Sequence, residues 1–156
     1  MAKKTFKIIV AAVLAIFLLI IGIAAFFFGF NQNSVISWKL MQDFKSEIKD
    51  CEELEIIDSK SACGKISGNG NGMEFYGAVL VKAECEEDVE ELVSSIDDDY
   101  NKVGYYIQAD KQIDASPIDG HIFLEYESFP NDGKTYYTVY YFTSHKLSTE
   151  FDIRAH

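Results

Sequence analysis

Three kinds of residue in this sequence could do chemistry: a pair of histidines, three cysteines and a crowd of tyrosines. His121 and His145 stand on either side of Pro130-Asn131-Asp132-Gly133, which reads as a hairpin turn. If the flanking strands pair about Asp132, position 121 falls opposite roughly position 143 to 145, and the two imidazoles become cross-strand neighbours. Asp119 or Glu125 beside them would complete a metal site. A register slip of one residue sends one ring to the other face, and the plainer reading is two histidines at exposed strand ends. Cys51, Cys63 and Cys85 are an odd set, so at most one internal bridge forms and a thiol is left over. No pairing is singled out. The bland expectation is three small buried side chains, and no CxxC or Cys/His spacing suggests zinc. All nine tyrosines lie beyond residue 75, with Tyr105, Tyr106, Tyr126, Tyr136, Tyr137, Tyr140 and Tyr141 crowding the last strands. They fall on both alternation faces, so not all can be core. Tyr105, Tyr106, Tyr137 and Tyr140 are the expected interaction surface, because tyrosine buries a large area at low entropic cost. The competing account is β-propensity alone.

Two loops imitate sites. Gly68-Asn69-Gly70-Asn71-Gly72 is glycine-rich like a phosphate loop. Such loops lead from a strand into a helix, and the Walker form adds Lys-Ser/Thr. Here Met73-Glu74-Phe75 follows and reads as a strand, so a hairpin connection is expected. Asp97-Asp98-Asp99 with Asn101 lacks the spacing of a calcium loop and reads as a solvated acid run. There is no GxSxG, HExxH or kinase-type motif, and no carboxylate pair in an apolar setting. No catalytic residue and no cofactor is expected.

The elements that must position these residues begin with an anchor. Ile8 to Phe30 holds no charge over 23 residues. As a helix it covers roughly 35 Å, enough for a hydrocarbon core of about 30 Å. A cleaved leader has a shorter apolar run ending in small residues; this one ends among Phe26, Phe27, Phe28 and Phe30. A type IV pilin would show a Glu early in the run after a Gly-Phe site, and Thr5-Phe6-Lys7-Ile8-Ile9-Val10 has neither. Lys3, Lys4 and Lys7 favour a cytoplasmic N-terminus, against the weaker pull of Lys39, Lys45 and Lys49 beyond the span. The expected organisation is a cytoplasmic tail over 1–7, a transmembrane anchor over 8–30 and an extracytoplasmic acidic α+β domain over 31–156.

The domain carries all 25 acids of the chain and 11 of its 14 bases, a net of −14. Nucleic acid is thereby excluded as a partner, since phosphate binding needs a basic face. Apolar spacing at Ile36, Leu40, Met41, Phe44 and Ile48 predicts a helix over Val35 to Lys49. That helix would cover a sheet, or else lie along the membrane surface. Leu54 begins a strand reaching Ile66, and Met73 to Ala83 returns, with Glu74, Tyr76, Ala78, Leu80 and Lys82 on a partly solvated face. Glu86 opens a second helix with the stripe Val89, Leu92, Val93 and Ile96; its first-turn acids suit the helix dipole. Strands follow at Val103–Ala109, His121–Glu127 and Thr135–Ser144. The fold class is α+β: an antiparallel sheet of about five strands with two helices on one face, in the order α-β-β-α-β-β-β.

Cys63-Gly64-Lys65-Ile66-Ser67-Gly68-Asn69-Gly70-Asn71-Gly72-Met73 is similar to a CGK-x-x-GNGNGM segment of small membrane-anchored proteins of Gram-positive gut bacteria. That resemblance implies a bacterial surface protein and brings no activity with it. The expected function is a non-enzymatic domain, anchored in lipid through residues 8–30, that holds a protein or cell-envelope partner. The alternative is a small-ligand or metal-binding domain using His121 and His145, with a hydrolase as the third reading.

Overall fold

The apolar leading segment determines the first element. In the computed structural model, which describes residues 2–26, 32–65, 73–96, 100–114 and 124–145, α1 (Ala2–Ala25) is a single helix. Its window Phe6–Ala25 has a mean hydropathy of 3.2, and none of it is buried. A core helix of that composition would be packed. Here Ile8, Phe17, Leu18, Leu19 and Phe26 are all more than half exposed, a state that is stable only in lipid. The chain is a single-span membrane protein with a folded α+β domain after the span.

α2 (Gln32–Lys49) buries Asn33, Ser37, Met41, Phe44 and Ile48, a stripe at helical period. Ile36 and Leu40, expected as part of it, are only partly buried and pack on the core from the side. α3 (Glu86–Ser95) buries Val89 and Leu92. Its N-terminus is tied by the Cys85 backbone N–H donating to Asp88 Oδ2 at 3.2 Å.

β1 (Glu55–Lys65) and β2 (Met73–Lys82) form the expected antiparallel pair, with a bulge between Ile56 and Asp58. β3 (Lys102–Ile107) and the last strand, β6 (Tyr136–Ser144), complete a four-stranded sheet in the order β1-β2-β6-β3. β4 (Gln112–Ile113) and β5 (Leu124–Glu125) pair only with each other. Among the described residues the main sheet thus has four strands rather than five, and there is one strand more than the expected order gives.

Two corrections follow. The strand expected over His121–Glu127 does not make a hairpin with β6. Its described part, Leu124–Glu125, pairs with Gln112–Ile113, while β6 pairs with β2 and β3. The described residues therefore do not form the hairpin on which the alignment of positions 121 and 145 rested, and His121 itself lies outside them. The second face of β2 is also covered over its whole middle, with only Glu74 and Lys82 at its ends half-exposed. Tyr76, Ala78 and Leu80 are fully buried and form a second core with Ile113, Tyr126 and Tyr136. The cover is the excursion between β3 and β6, a flap folded back over the sheet face opposite the helices.

Polar bonds hold that flap. The Thr138 hydroxyl donates to Gln108 Oε1 at 2.7 Å, so its contact with the Tyr126 hydroxyl at 2.9 Å must be donated by the tyrosine. Tyr76 donates to the Asp114 carbonyl at 3.1 Å. The Asp58 carboxylate, at the β1 bulge, accepts from the backbone N–H of Glu127 at 2.6 Å and of Ser128 at 3.1 Å. Asp58→Ala is expected to cost about 2 kcal/mol, because charge-assisted bonds are lost while water re-solvates the freed amides. Amide hydrogen exchange at Glu127 and Ser128 should accelerate well ahead of that at β2. Equal protection in variant and parent would refute the clamp.

Candidate functional site

α2 lies over β1 and β2, and α3 over β3 and β6, all on one face of the sheet. The sheet order leaves a gap between the two helices. α2 ends at Lys49, and the chain turns through Asp50, Cys51 and Glu53 before Leu54 returns it to the core. α3 turns Asp88, Glu91 and Ser95 toward the gap, at spacings of three and four that share a helix face. The result is a cleft of ≈ 360 Å³ lined by Glu47, Asp50, Cys51, Glu53, Asp88, Glu91, Leu92 and Ser95.

Five of the eight lining residues are carboxylates and none is a cation. Cys51 Sγ donates to Glu53 Oε2 at 3.3 Å. Burial, and then that carboxylate, raise the thiol's pKa, which suppresses the thiolate. Cys85 is raised too, first by its hydrogen bond with Asp88. Thiols held protonated beside carboxylates are poor nucleophiles. None of the three cysteines is in a disulfide; Cys51 and Cys63 are half-buried and Cys85 is exposed, so the expected set of three buried side chains does not hold. Among the described residues no group of three His, Cys, Asp or Glu side chains is arranged to hold a metal ion. The acids surround a space rather than converge on a point. Such a space suits an extended organic cation, an ammonium or guanidinium on a longer chain.

The tyrosines expected as one surface divide between the two faces. Tyr105 and Tyr137 are on the helix side, packed edge-on at 6.3 Å. Tyr137 is buried, and the Tyr105 hydroxyl bonds to Glu86 and Glu90 of α3. Tyr106 and Tyr140 are on the flap side. Tyr106 accepts from the Asp114 N–H, and Tyr140 stacks on Tyr76 at 6.1 Å. Neighbouring strand positions point to opposite faces, so Tyr105-Tyr106 cannot share a surface, and Tyr137 and Tyr140 differ by an odd number of residues. His145 stands edge-on to Phe75 at 6.4 Å. His121, with Asp119, lies outside the described residues, as do the glycine-rich loop and Asp97-Asp98-Asp99.

The cleft residues were not singled out from the sequence. A signal existed: Asp43 and Glu47 form one row of α2 that Asp50 continues just past its end, and Asp88, Glu91 and Ser95 form one row of α3. Nothing local says that the two rows face each other. No protein-family model, curated sequence or solved structure matches this chain.

Proposed function

We propose that the protein is a membrane-tethered binding domain on the extracytoplasmic side, holding a protein or cell-envelope partner without chemical turnover. The observation that carries this reading is the cleft between α2 and α3, with five carboxylates around ≈ 360 Å³ and no cation among its lining residues. The partner it fits presents Lys or Arg side chains or amino groups of an envelope polymer. The three lysines before the span support the topology through the positive-inside bias. The protonated thiols at Cys51 and Cys85 favour holding over nucleophilic catalysis.

The test is titration of the full chain in detergent micelles with an oligolysine peptide, against the same peptide acetylated on its lysines. Binding that weakens with salt, and falls about tenfold or more in Glu47→Gln/Asp88→Asn/Glu91→Gln, is expected. Parent and variant binding the peptide equally would show that the domain's diffuse negative charge, not the cleft, attracts it.

A further inference from the structure

α2 has a second face that its packing role leaves unused. At about 100° per residue, Val35, Trp38, Lys39, Gln42, Ser46 and Lys49 lie within roughly 60° of one line along the helix. All six are exposed, with Val35 at 58% and Trp38 at 63%. Of the acids, Asp43 stands about 90° to one side of that line, one turn on from Lys39, and Glu47 about 130°, toward the cleft. A helix that looks mixed in sequence is therefore sorted in three dimensions into a buried stripe, an acidic flank and an outward stripe bearing lysines and a tryptophan. Lys39 and Lys49 bond to no other described residue through their ammonium groups; Lys45, at the edge of the stripe, donates to Ser59 Oγ at 3.1 Å.

We propose that this outward stripe docks on the anionic headgroup surface of the membrane that holds α1. Three observations select lipid as the occupant. The stripe is cationic on a domain of net charge −14, so an anionic surface attracts this face and repels the rest. Its two exposed apolar residues stand at the N-terminal end of α2, nearest the anchor, and tryptophan prefers the headgroup level. The tether is short. From Phe26 to Gln32 the chain reaches at most about 22 Å, and Trp38 is about 9 Å further along α2. Trp38 thus stays within roughly 30 Å of the end of α1, where the membrane surface is always present at high effective concentration. Docking would orient the domain, with the lysine stripe on lipid, Asp43 beside the contact and Glu47 with the cleft turned away from it.

Trp38 is the chain's single tryptophan, so its fluorescence reports this contact alone. The full chain is reconstituted into phosphatidylcholine vesicles with and without about one-third phosphatidylglycerol. With phosphatidylglycerol present, Trp38 emission should shift to the blue and be quenched by bromine-labelled acyl chains. High salt should reverse both changes. Lys39→Gln/Lys49→Gln should shift the docked–undocked equilibrium about thirty-fold toward undocked, near fivefold for each lysine, with circular dichroism unchanged. Trp38 emission that stays solvent-like in the anionic vesicles would overturn docking. So would quenching that is equal in parent and double variant, or a blue shift that grows with protein-to-lipid ratio, which assigns the stripe to a second copy of the chain. The peptide titration of the cleft is made in micelles without anionic lipid, so the two proposals fail separately.

Discussion

Gly77→Ala is expected to destabilise the domain by about 3 kcal/mol, the upper end of an overpacking penalty. Gly77 is the Cα partner of Tyr141 across β2 and β6. A Cβ at position 77 would stand 2.6 Å from Tyr141 Cζ and 2.8 Å from Met41 Cε, closer than carbon atoms approach. The ring cannot retreat, because Phe44 and Tyr100 each hold it at a centroid distance of 4.8 Å. Glycine here is a steric requirement of the core, since the Tyr141 ring occupies the space a side chain would need. The companion change has the opposite sign. The Tyr141 hydroxyl is buried without a hydrogen-bond partner among the described residues, so Tyr141→Phe should stabilise by about 1 kcal/mol. Denaturant titration of the full chain in detergent micelles, followed by near-ultraviolet circular dichroism, measures both. An unchanged midpoint for Gly77→Ala would mean that the Tyr141 ring does not sit where the core is described.

Raising the pH from about 9 to about 11 should remove about 4 kcal/mol of stability. Tyr76, Tyr126 and Tyr141 are buried on the two faces of the sheet, and burial raises each phenol above its ordinary value of 10.0. Above that value the unfolded chain gives up these protons while the folded chain keeps them. The unfolded state then binds fewer protons, and stability falls with rising pH. Each phenol contributes a slope of about 1.4 kcal/mol per pH unit, so three give about 4 kcal/mol across the window. The stabilisation is fully present below the unfolded value and is lost from about pH 10 upward. Tyr141→Phe should reduce the loss by about a third. A flat denaturation midpoint between pH 9 and 11 would contradict burial of these hydroxyls.

The flap and the cleft divide the molecule's work. The flap closes the sheet face away from the helices through Asp58, Gln108, Tyr126 and Thr138, all of which bond across it. That leaves the helix face to carry the accessible charge. The Tyr105 hydroxyl ties β3 to Glu86 and Glu90 of α3, the helix that supplies one wall of the cleft. Of the tyrosines expected on one interaction surface, Tyr105 is bonded to a helix that lines the cleft, while Tyr106 and Tyr140 are on the flap side.

From sequence alone the span was legible, because 23 uncharged residues have one stable setting and need no partner elsewhere in the chain. The two helices and the β1–β2 pair were legible as well, because period 3.6 and period 2 are local signals. The partner of β6 was not. Alternating Tyr, Val and Thr suits many neighbours, and the entropy of closing a loop grows so slowly with length that a long excursion between β3 and β6 is tolerated. Once the described part of that excursion folds back, it buries Tyr76 and Leu80, leaves β6 without the hairpin partner expected of it, and sorts the tyrosines between two cores. The cleft has the same origin. Periodicity puts acids along one side of each helix, but only the order β1-β2-β6-β3 stands α2 beside α3 and makes two rows of carboxylates into one site.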